Sequence, residues 1–108
     1  MEKTLKFTND GKNYTLCFTR ETVMTTEDMG FNLAFIADKP IKSLTLLWRG
    51  AFLAKHDTLT IAEVDALLGK MDKTGLLDAL LDLYQAPLAS LFDDEGENSK
   101  NAIKWTVN

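Results

Sequence analysis

With 108 residues, 45% of them hydrophobic, and a net charge of −4, the chain has the size of one domain and the apolar content to fill a single core. That balance excludes a wholly disordered chain, which would be apolar-poor and highly charged. It also argues against direct nucleic-acid binding, because the basic residues are scattered singly instead of gathered on one face.

Cys17 is the single cysteine, so no intramolecular disulfide forms, and within a strand pattern it reads as a small buried hydrophobe. No apolar run reaches bilayer length, so no membrane partner is expected. The segment Met1–Lys6 has no apolar stretch behind its charges and does not read as a signal peptide. A cytoplasmic setting is expected.

Along the chain, the first signal is a β-hairpin over residues 3–19. Leu5 and Phe7 alternate with polar residues, as do Tyr14, Leu16 and Phe18 on the return, and Asp10-Gly11 lies between them. That dipeptide tolerates the positive φ of a type I′ turn. A two-residue loop there sets Asn9 opposite Lys12, Phe7 opposite Tyr14 and Leu5 opposite Leu16. All the apolar side chains then share one face, a match that a slip of one residue would destroy.

A helical region over residues 20–92 follows, with about four helices. Thr19 caps a helix over Arg20–Met29, and Gly30 stands where a left-handed residue ends it. The short apolar segment Phe31–Ile36 is either an extended connector or a helical turn. Pro40 suits the first position of the next helix, with Asp38 just upstream. In that helix Ile41, Leu44, Leu47, Trp48, Ala51 and Phe52 recur at three and four, and Leu46, Leu53 and Ala54 widen the stripe. A helix apolar around much of its circumference is either central in its domain or covered by a partner. It should end near Lys55-His56.

Thr60 and Glu63 form a capping box, and Leu59 and Val64 have the spacing of a hydrophobic staple. Val64, Leu67, Leu68 and Met71 continue the buried stripe, and Thr74 is available to cap a last helix rich in leucine from Leu76 to Tyr84. Pro87 predicts an end or kink near Gln85-Ala86, with one or two further turns around Leu88, Leu91 and Phe92. An acidic loop is expected over residues 93–100. Ile103, Trp105 and Val107 then alternate with polar or small residues, as in a strand. Over residues 101–108 this is either a third strand on the hairpin or a tail that orders on a partner. The first is favoured, because a lone hairpin needs cover. The fold class is therefore α+β, in one domain.

No chemistry is legible. His56 is the single histidine and has no nucleophile or metal partner in the pattern; a helix-terminal histidine is expected to be solvated or to face the helix dipole. One Cys and one His do not make a zinc site. The acidic run Asp93-Asp94-Glu95-Gly96-Glu97 lacks the ligand spacing of an EF-hand. No catalytic residue, cofactor or metal is expected. What stands out is the number of large apolar residues, for which Leu46, Phe52, Leu53, Ile103 and Trp105 are the candidate partner contacts.

The order of these features resembles a known family. A hairpin leads into Phe18-Thr19-Arg20-Glu21, followed by Gly30-Phe31-Asn32-Leu33, then Leu44-Thr45-Leu46-Leu47-Trp48-Arg49-Gly50-Ala51-Phe52, a leucine-rich helix and a terminal Trp105-Thr106-Val107-Asn108. This layout resembles the small tail assembly chaperones of long-tailed phages and prophages of Gram-positive bacteria. The resemblance implies a non-enzymatic protein of the bacterial host cytoplasm whose partner is the tape-measure protein, with the tail tube protein as a further partner. A permanent component of the particle, such as a head–tail connector or tube-end protein, is the alternative.

Overall fold

A computed structural model describes the backbone of residues 3–97 and the side chains of residues 3–89. In chain order the elements are β1 (Leu5–Asn9), β2 (Lys12–Leu16), α1 (Arg20–Asp28), a 3₁₀ turn at Leu33–Phe35, α2 (Pro40–Phe52), α3 (Ile61–Lys70) and α4 (Leu76–Glu97). The expected α+β architecture, a two-stranded antiparallel hairpin followed by four helices, is what the chain adopts.

The hairpin has the expected register: Leu5 faces Leu16, Phe7 faces Tyr14 and Asn9 faces Lys12. Asp10 and Gly11 both have positive φ, at 51° and 77°, as a type I′ turn demands. Phe7 and Tyr14 stack with ring centroids 5.0 Å apart and turn their shared face toward Trp48 and Phe52. The outer edge of β2 is tied down by the end of α2. Thr15 N–H donates to His56 Nε2 at 3.0 Å, and Cys17 N–H donates to Ala51 O at 3.2 Å. These two bonds occupy backbone donors that would otherwise form an open strand edge.

Thr19 caps α1 as expected, with Thr22 completing the capping box. The helix ends in a Schellman arrangement, in which Phe31 N–H reaches Thr26 O and Gly30 N–H reaches Glu27 O, while Gly30 takes φ +108°. The following apolar segment resolves as the 3₁₀ turn, opened by Asn32, whose Oδ1 accepts from Ala34 N–H.

Helix α2 is the central element, packed against α1, α3, α4 and β2. Its N-cap is Lys39, directly before Pro40, and it ends at Phe52, a few residues before Lys55-His56. Its buried face runs through Leu46, Leu47, Trp48, Gly50, Ala51 and Phe52, whereas Ile41, expected in the stripe, is 82% exposed. Burial here follows from having neighbours on several sides. Trp48 is fully buried and its indole N–H donates to Val64 O at 2.7 Å, locking α2 to α3. Gly50 is where α1 and α2 come closest, since a Cβ there would overlap Thr26 Oγ1 and come within 3.1 Å of Phe18.

The α3 capping box forms as expected, with Glu63 N–H on Thr60 Oγ1 and Thr60 N–H on Glu63 Oε1, both at 3.1 Å. Helix α4 departs from expectation at both ends. Thr74 does not cap it; its N–H donates instead to Asp72 Oδ1, and Gly75, at φ +73°, precedes the helix. Pro87 does not end it either. The missing N–H and ring clash concern one intrahelical bond, and the turns on either side persist, so α4 continues to Glu97. Residues 93–97, expected to open an acidic loop, are therefore helical. The rest of that loop and the C-terminal strand or tail over 101–108 lie outside the described residues. Leu76, Leu80, Leu83 and Tyr84 seat α4 in the core, with Tyr84 edge-on to Phe18 and Phe31.

Candidate protein-binding groove

The end of α1, the C-terminal half of α2 and the start of α3 enclose an apolar groove of about 350 Å³. Each wall has a local cause. The Schellman turn at Gly30 leaves Met29 at the rim on one side. The staple and capping box that start α3 place Leu59, Ile61 and Val64 on the other. Leu46, Phe52 and Leu53 from α2 and its C-terminal turn complete the lining.

Three of the five residues expected to touch a partner thus converge here, but in a different capacity. Phe52 is 1% exposed and Leu46 7% exposed, so neither projects from the surface; both are enclosed by neighbouring elements and line the groove from within the core. Leu53 is half-buried. Ile103 and Trp105 lie outside the described residues. The accessible apolar surface belongs to side chains not singled out from sequence: Ile61 at 62% exposure and Met29 at the rim. Ile61 had a legible signal, an apolar residue at the first helical position after a cap, where side chains project outward. Met29 had none beyond its place before Gly30.

The polar part of the lining is Arg49, His56 and Asp57. Arg49 donates to both carboxylate oxygens of Asp65, at 3.0 and 2.7 Å. That bidentate bond holds the Asp65 carboxyl below its usual range and raises Arg49 further. Both side chains are about one-third exposed, so the pair fixes the rim between α2 and α3 more than it stabilises the fold. His56 is half-buried and does not stand idle. Its Nε2 accepts from Thr15 N–H and its ring lies near those of Tyr14 and Phe52, making it a structural tie between hairpin and helix.

Among the described residues no group of three or more His, Cys, Asp or Glu side chains is placed to hold a metal ion, and no helix is long and apolar enough to cross a membrane. The lining therefore offers an apolar surface with one fixed ion pair at its edge, suited to receiving hydrophobic side chains.

The family model described as Domain of unknown function (DUF5055) matches residues 1–108. The chain belongs to that family. No curated protein and no solved structure matches it. The matched span takes in every element that builds the groove.

Proposed function

We propose that the protein is a non-enzymatic tail assembly chaperone, which binds the tape-measure protein in the host cytoplasm and keeps it soluble until the tail tube forms around it. The observation that carries this reading is the groove. It offers Leu46, Phe52 and Leu53 behind an accessible rim of Met29 and Ile61, a surface that water covers poorly and that apolar side chains of a helical partner cover well. Methionine at the rim adapts to partners of varied shape. The net charge of −4 favours solubility of a complex coated with many copies. Ile103 and Trp105 are proposed as additional contacts.

The test is co-expression with the long helical neighbour, a tape-measure protein, that this reading requires. The neighbour should become soluble with the wild-type chain and not with a Met29→Asp, Ile61→Asp double variant. Both positions are accessible, so the variant should keep its fold to within about 0.5 kcal/mol per site. A neighbour that stays equally insoluble beside the wild-type chain would defeat the chaperone reading. Recovery of the chain from purified particles would assign it to the permanent structure instead.

A further inference from the structure

The hairpin is fastened to the end of α2 by two backbone donors that have unlike partners. Thr15 and Cys17 lie two residues apart, at and just past the end of β2, so both N–H groups point to the same outer side of the strand. Cys17 N–H meets a carbonyl, Ala51 O, at 3.2 Å. Thr15 N–H meets the imidazole Nε2 of His56 at 3.0 Å. A carbonyl accepts whatever the pH near neutrality, whereas an imidazole nitrogen accepts only while it is unprotonated.

His56 is held in place for this contact. Its own N–H donates to Phe52 O at 2.8 Å, and its carbonyl accepts from Leu59 N–H at 3.4 Å. Its ring centroid lies 5.5 Å from that of Tyr14 and 6.0 Å from that of Phe52. With Nε2 as the acceptor, the neutral ring carries its proton on Nδ1. The residue is half-buried and lines the apolar groove, so it stands between the hairpin and the groove and is open to solvent protons.

The described elements around the ring supply a setting that tolerates a charge. Strand β2 contributes Tyr14. Helix α2 contributes Arg49, whose guanidinium is already bonded to Asp65 of α3. The groove walls from α1 and α3 contribute Met29, Ile61 and Val64, which carry no charge. Lys55 and Asp57 flank His56 in the chain, and Asp57 lines the same groove. An imidazolium there has a carboxylate beside it and two aromatic rings near it. The fold accommodates the cation; what the cation cannot do is accept from Thr15.

We infer that His56 is a proton-operated latch between the hairpin and the groove: neutral, it fastens Thr15 to the end of α2; protonated, it releases that amide and places a positive charge in the groove wall. Histidine is the side chain that ordinarily changes charge between about pH 5 and pH 8. Opening the latch removes one of the two bonds and leaves the other, so the edge of β2 loosens at Thr15 while the strand stays anchored at Cys17. The charge also makes the groove a poorer host for apolar side chains. The latch does not depend on the chaperone reading.

The experiment is nitrogen NMR of the imidazole together with amide hydrogen exchange, on the full chain, from about pH 8 to about pH 5. His56 is the single histidine, so its titration is read directly. At the alkaline end Nε2 should be the unprotonated nitrogen. As the ring takes up its proton, the protection factor of Thr15 N–H should fall about fivefold, the loss of one ordinary hydrogen bond, while that of Cys17 N–H holds. In His56→Gln, whose amide does not titrate, Thr15 protection should be independent of pH. Should that variant fail to fold, the wild-type titration carries the test, with Cys17 as its internal reference. A proton on Nε2 at the alkaline end, Thr15 protection that ignores the His56 titration, a parallel loss at Cys17, or the same fall in His56→Gln would overturn the latch.

Discussion

Helix α1 packs closely on α2 at Gly50, and Gly50→Ala tests that contact. On helix propensity alone the change should stabilise the protein by about 1 kcal/mol. The packing opposes this. The new Cβ would overlap Thr26 Oγ1 and lie 3.1 Å from both Thr26 Cβ and Phe18 Cε1. Thr26 is fully buried, and its hydroxyl is held by the Thr22 carbonyl at 2.7 Å. Swinging it away forfeits that bond, worth about 1 kcal/mol. Overpacking of this kind costs about 1–3 kcal/mol, so with the bond lost and the propensity gained the net expectation is a loss of about 1–3 kcal/mol. In a domain of this size that lowers Tm by about 5–20 °C. Gly69→Ala is the internal control: it lies in α3, and a Cβ there meets nothing within 4 Å, so the propensity gain should appear unopposed. In a Thr26→Ala background the cost of Gly50→Ala should shrink, because the overlapping oxygen is gone. Thermal and urea unfolding of the four variants (Gly50→Ala, Gly69→Ala, Thr26→Ala and the Thr26→Ala, Gly50→Ala pair) measure all of this. If Gly50→Ala raises stability as Gly69→Ala does, the close packing of α1 on α2 at Gly50 is wrong.

Two further outcomes are expected. Thr60→Ala removes the acceptor for Glu63 N–H and the hydroxyl partner of its carboxylate, and should cost about 1 kcal/mol in urea unfolding, with Thr60→Ser retaining most of it. Acid should also destabilise the fold. Thr60 N–H lowers the Glu63 carboxyl, Arg49 lowers Asp65 and Thr74 N–H lowers Asp72. Groups depressed in the folded state contribute stability above their unfolded pKa, near 4, and lose it as pH falls through the folded values. Stability should therefore be level from neutral pH down to about 5 and fall below about 4. Asp65→Asn should flatten part of that fall, and an unchanged profile would contradict the Arg49–Asp65 geometry.

What could be read from sequence is what depends on neighbours a few residues away. The hairpin register follows from Asp10-Gly11 and strict alternation, because a turn of fixed length leaves one pairing that puts every apolar residue on one face. The caps at Thr19 and Thr60 and the end at Gly30 follow from donors and dihedrals within one turn. Pro87 marks the limit of such rules: an end or a kink was legible, but not which of the two, and the helix runs on to Glu97.

Which apolar residues stay accessible was settled only by tertiary packing. Leu46 and Phe52 look surplus on a helical wheel, yet α2 has neighbours on several sides and they are enclosed. Ile41, in the same stripe, is left outside. The bond from Thr15 to His56 and the contact of Gly50 with Thr26 join residues far apart in the chain. Sequence fixes a residue's chemistry and its local dihedrals; whether its side chain faces a neighbour, a groove or water depends on how the helices cross, and that is a property of the assembled chain.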